Sequence, residues 1–126
     1  MPDFLRIDEV IDIHRDQIAR YGGDDGMRDA NGLLSAIAVP QSGAGGEYFH
    51  CDLFEMAAAY LFHIVQNHPF VDGNKRTGLA AALVFLDLNG IEIEADEDEL
   101  AEFVLAIAQG KQEKPAIADY LRRHVR

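Results

Sequence analysis

The chain has 126 residues, 48% of them hydrophobic, and one cysteine, Cys51. That describes a single domain over residues 1–126 with a real core, too apolar for disorder and without an internal disulfide, as expected in a reducing, cytoplasmic setting. Twenty-two acidic side chains against eleven basic ones leave a formal charge of −11; such a surface repels phosphate polymers and sets direct nucleic-acid binding aside, while a local basic pocket for one small anion remains open. No apolar stretch reaches the roughly 20 residues that span a bilayer. The start Met1-Pro-Asp-Phe-Leu-Arg-Ile-Asp8 lacks the basic-then-apolar pattern of a signal peptide, so no membrane role is expected.

The periodicity is mostly helical. Val10, Ile11, His14, Ile18 and Tyr21 fall at helical spacing, and Gly22-Gly23 stops the segment. Asp24 to Met27 reads as a loop. Leu33, Leu34 and Ile37 mark a short helix ending before Pro40, and Gln41-Ser-Gly-Ala-Gly-Gly46 reads as a flexible connection, either a flap or an idle surface loop. Asp52 with Glu55 three residues later opens the next helix, which runs to about Gln66 with Met56, Tyr60, His63 and Ile64 on one face. Asn67 to Gly73 is a loop. In the following stretch, Leu79 to Leu88, nine of ten residues are apolar, which predicts a buried central helix closed by Asn89-Gly90. Ile91-Glu-Ile-Glu94 alternates like a short strand. A helix capped by Asp96 with Glu99 carries Leu100, Phe103, Val104 and Ile107, and a last helix begins near Pro115 with Ile117 and Leu121. The acidic run from Glu92 to Glu102 reads as a solvated helix start, where negative charge suits the dipole. The expected fold is an all-α compact helical bundle with at most a short β segment.

One segment gathers unusual chemistry. Asn67-His-Pro-Phe-Val-Asp-Gly-Asn-Lys-Arg76 places an imidazole, a carboxylate, a glycine, an amide and two cations between an amphipathic helix and the buried one. Gly73 permits a tight turn. Asn74-Lys75-Arg76 stands where a helix begins, so free N–H groups and the positive dipole end meet two full charges, an arrangement that suits phosphate. Asp72 offers an oxygen to Mg²⁺, which often binds through one carboxylate plus phosphates. His68 has an imidazole suited to take a proton from a hydroxyl. Phe70 reads as the loop's anchor, and Pro69 stiffens the chain after His68. Each residue alone has a bland reading as a cap or solvated group; their combination in one turn does not.

Other chemistries are weaker. Gly110-Lys111 is followed by Gln112, so no P-loop is present, and neither Ser35 nor Ser42 has a supporting motif. His50 beside Cys51 is too few ligands for structural zinc, and Cys51 reads as a buried inert thiol. His63 reads as a satisfied core histidine, and His14 and His124 as ordinary surface or packing residues.

His68, Phe70, Asp72, Gly73, Asn74, Lys75 and Arg76 match the signature of the Fic/Doc family, and the chain resembles its Doc (death-on-curing) branch. Arg20-Tyr-Gly-Gly23, Gly26-Met27, Asp52-Leu-Phe-Glu55 and the length are also similar. The resemblance implies the helical Fic/Doc fold and transfer of part of a nucleoside triphosphate to a protein hydroxyl, with ATP as co-substrate and Mg²⁺ as metal. It implies His68 as base, Asp72 as metal ligand or orienting group, and Gly73, Asn74, Lys75 and Arg76 as the phosphate site, with Arg76 also steadying charge during transfer. Fic enzymes that transfer AMP usually carry glycine where Lys75 stands and a second arginine where Leu79 stands. Both departures are shared by the Doc branch. They point to a toxin that phosphorylates elongation factor Tu, blocks translation and is neutralised by a Phd-like antitoxin. A nucleotidyl transferase and a catalytically silent binding module are the alternatives.

Overall fold

The structure, a computed structural model, describes all of residues 1–126. It has six α-helices: α1 (Ile7–Tyr21), α2 (Ala30–Ala38), α3 (Leu53–Asn67), α4 (Asn74–Leu88), α5 (Glu97–Ala108) and α6 (Lys114–Arg123). A single 3-10 turn, Val39–Gln41, follows α2 and holds Pro40. No helix is long and apolar enough to cross a membrane.

The all-helical expectation holds, and half of the helix starts follow from a side-chain cap. Asp29, Asp52 and Asp96 each accept from an N–H in the first turn of α2, α3 and α5. Replacing such a cap costs about 1 kcal/mol. Pro115 stands at the start of α6, where its missing N–H is no loss.

The centre of the bundle falls on α3 rather than on α4. Met56, Ala57, Ala58, Ala59, Tyr60, Leu61, Ile64 and Val65 of α3 are all buried. Three consecutive alanines make that stretch thin, so neighbours can approach from several sides. α4 buries Thr77, Gly78, Ala81, Ala82, Phe85 and Leu86, but Val84 and Leu88 face solvent. An apolar run therefore overstated how enclosed α4 is.

The β content also sits elsewhere than the alternation at Ile91–Glu94 suggests. Gly43–Ala44 (β1) pairs antiparallel with Glu47–Tyr48 (β2). Gly45 and Gly46 both have positive φ, 61° and 82°, as a two-residue hairpin turn of the primed type requires. The glycine-rich connection is thus a small hairpin. Ile93 makes only an isolated bridge, to Val125, supported by Glu94 N–H donating to the His124 carbonyl at 2.8 Å.

Along the seam of α3 and α6, the Lys114 ammonium lies 3.0 Å from His63 Nε2 and 3.2 Å from His50 Nε2. A single ammonium can donate to both rings only if both are neutral. His63 is therefore satisfied, as its place on the α3 face suggests. Cys51, by contrast, is exposed, because it precedes the Asp52 cap and never enters the helix.

Burial, reinforced by Lys114 and His50, pushes His63 down to about 4 from its ordinary 6.5, and burial lowers His50 too. In the unfolded chain both rings gain protons as pH falls through 6.5, while the folded chain resists. Stability is hence expected to be full above pH 6.5 and to decline as pH drops toward about 4. Urea unfolding across this range should show a shallower decline for His63→Gln than for the wild type.

Candidate active site

The loop from His68 to Gly73 leaves α3 and enters α4. Pro69 disfavours a right-handed helical conformation in the residue before it, so α3 cannot continue through His68. His68 instead takes φ 49° and ψ 54°, the only non-glycine residue of the chain with positive φ. Its ring belongs to an exposed residue at the mouth of the loop.

Phe70 anchors the loop as expected, at 1% exposure. Burying such a ring contributes about 1.5–3 kcal/mol. Asn74 straps it down: its Oδ1 accepts from Phe70 N–H and its Nδ2 donates to the Phe70 carbonyl, both at 2.9 Å. Asn74 is itself buried, and its side chain is turned to the Phe70 backbone rather than outward. Both ends of the amide are engaged by Phe70, while the main-chain N–H of Asn74 stays open at the start of α4.

The other face of Phe70 is covered by His14 of α1. The two rings stack with centroids 3.7 Å apart and planes 6° from parallel. His14 Nε2 lies 2.8 Å from the Asp72 carbonyl oxygen, and this bond requires the ring to donate. His14 is a packing residue, as read from the sequence, but its service to the loop was missed. Its place between Val10 and Ile18 on the apolar stripe of α1 was the available signal.

Asp72 is exposed, and its Oδ2 accepts from Asp24 N–H at 2.8 Å. The second carboxylate oxygen forms no hydrogen bond or ion pair within the chain. A carboxylate held by one oxygen and open at the other fits Mg²⁺ bound through a single carboxylate. No three His, Cys, Asp or Glu side chains gather in one place.

At the start of α4, Gly73 has φ 80°, and an added Cβ would meet Ile18 Cδ1 at 3.1 Å. Glycine is thus favoured by the backbone, and an added Cβ would also crowd Ile18. Glycine also leaves α4 uncapped. The N–H groups of Asn74, Lys75 and Arg76 have no acceptor in the chain. Lys75 and Arg76 are exposed and make no ion pair, and the Arg76 guanidinium lies over the Tyr21 ring at 4.4 Å. Three free N–H groups, a helix dipole and two unpaired cations on one turn make a surface of positive potential, chemically suited to an anion.

The profile of the Fic/DOC family matches residues 4–86, which take in α1 to α3, the entire loop and α4 as far as Leu86. The chain belongs to the Fic/DOC family. Within it, the chain is 40% identical over 116 residues to "Protein kinase doc" of Escherichia phage P1, covering 92% of this chain and 90% of that protein. It is 44% identical over 78 residues to "Toxin Doc" of Mycolicibacterium smegmatis, covering 62% of this chain and 60% of that one. Family membership accounts for the joint presence of His68, Asp72, Gly73, Asn74, Lys75 and Arg76 on one Fic/DOC loop.

Removing the Asn74 amide strands a buried N–H and a buried C=O of Phe70. Asn74→Ala is expected to destabilise the fold by about 2–4 kcal/mol, from two unsatisfied groups. Thermal unfolding should show a clearly lower midpoint than Lys75→Ala, which removes only an exposed side chain.

Proposed function

We propose that this protein is a Doc-type toxin that transfers the terminal phosphate of ATP to a hydroxyl of elongation factor Tu, blocking translation, and that a Phd-like antitoxin restrains it. The observation that carries this reading is the uncapped start of α4, where three free N–H groups stand with Lys75 and Arg76 on the same loop as an exposed His68.

In this reading His68 takes the proton of the acceptor hydroxyl as its oxygen bonds to the terminal phosphorus. The bond from that phosphorus to the bridging oxygen breaks, and ADP leaves. Charge on the phosphate oxygens is met by Arg76, by Lys75 and by the N–H groups of α4. Asp72 would hold Mg²⁺, which neutralises phosphate charge when bound. Gly73 and Asn74 set the turn.

Two features favour transfer of the terminal phosphate over transfer of a nucleotide. Lys75 fills a position that is glycine in the AMP-transferring relatives. Leu79, where those carry a second arginine, is half-buried and packed against the core. The name "Protein kinase doc" of the phage P1 relative agrees with this choice.

The test supplies purified protein and elongation factor Tu with ATP labelled on either the terminal or the alpha phosphate. Label from the terminal position alone is expected, with His68→Ala slower by about 10²–10⁴-fold, the worth of a positioned base. Label from the alpha phosphate would replace this reading with nucleotidyl transfer. Failure of the wild type to label any translation factor, with normal growth on expression, would leave a binding module.

A further inference from the structure

Arg28 lies outside the signature segment, in the loop between α1 and α2, yet its guanidinium reaches that segment from about forty residues away. Nε donates to the His68 carbonyl at 2.7 Å, and Nη2 donates to the Asn67 carbonyl at 3.1 Å. These two oxygens belong to the two peptide planes on either side of the His68 Cα. Holding the two planes against one guanidinium constrains φ and ψ of His68 together. Both carbonyls lie at the α3 C-terminus, where orphan acceptors and the negative dipole end favour a cation.

Arg28 is itself held firmly. Its own N–H and that of Asp29 both donate to the Pro69 carbonyl, at 2.7 and 2.9 Å, and Val71 N–H donates to the Gly26 carbonyl at 2.9 Å. Met27 forms a bridge with Phe70, so residues 26–29 run antiparallel to residues 68–71. Asp29 caps α2 through Gly32 N–H, and Asn67 Nδ2 returns a bond to the Gly32 carbonyl. The strand-like segment is anchored at both ends.

His68 has need of such a clamp. A left-handed backbone is uncommon outside glycine, and a helix cap of this shape normally carries glycine. The conformation persists where surroundings over-determine it. We propose that Arg28 is a positioning residue: by gripping both peptide planes that flank His68, it aims the imidazole at the acceptor hydroxyl. This role rests on the transferase reading above.

The test compares wild type, Arg28→Lys and Arg28→Ala in phosphate transfer and, without nucleotide, in the NMR couplings that report φ of His68. Loss of aim is expected to lower kcat about 10–100-fold in Arg28→Ala with the KM for ATP within about twofold, since small misplacement of a reacting group is costly. Arg28→Lys should recover little, because a single ammonium cannot replace the planar fork. Low concentrations of free guanidinium should restore part of the kcat of Arg28→Ala, where methylammonium should not. The His68 couplings should shift from a fixed positive φ to an averaged value. Unchanged couplings and unchanged kcat in Arg28→Ala, with an active wild type, would overturn this role alone. A wild type that transfers no phosphate would overturn the transferase reading and this role together.

Discussion

Two hydrogen bonds between the Asn74 amide and the main chain of Phe70 hold the site in shape. They close a loop that leaves one buried helix and enters another, and they do so with a side chain that is itself buried. Once Phe70 is fixed, His14 has a ring to stack on, Asp72 has its carbonyl directed at that histidine, and α4 begins where its N–H groups stay free. A loop of this length with an imidazole at one end and two cations at the other would wander without the strap. With it, the polar groups are carried on two helices that the core already fixes, a more exact support than a free loop.

The charge distribution complements that rigidity. The protein is strongly acidic overall, yet Lys75 and Arg76 find no carboxylate partner. Tyr21 meets the guanidinium with an aromatic face in place of an anion, so Arg76 is oriented without being neutralised. Long polyanions meet repulsion from the whole molecule, while a small polyphosphate can be accommodated by one turn. The local field thus comes from where two cations stand, not from how many the chain carries.

Much of the fold was legible because its signals are local. Asp29, Asp52 and Asp96 act within three residues, Pro40 and Pro115 constrain their own backbone, and Asn89-Gly90 ends a helix where it stands. The signature loop was legible from its composition. What escaped was set by distant partners. A pattern cannot say whether an amide faces a ligand or its own backbone, so the Asn74 strap on Phe70 was not singled out. Ile91–Glu94 lacks a true strand because its neighbour is the last few residues of the chain. Gly43–Tyr48 escaped as a hairpin because two residues per strand are too few to alternate. Cys51 was read as buried from the habits of its residue type, while its place one residue before a cap decided otherwise. His14 and Arg28 serve the loop from 58 and 40 residues away, beyond any window of periodicity.

Those separations bear on when the molecule becomes competent during synthesis. Apart from the Asn74 strap, the braces on the loop come from the first quarter of the chain: His14 and Ile18, then Asp24, then Arg28. None has anything to hold until the segment through Arg76 has left the ribosome and α3 has packed. Contacts this far apart in sequence form late and together. A nascent chain interrupted before that point has the braces but not the loop they hold.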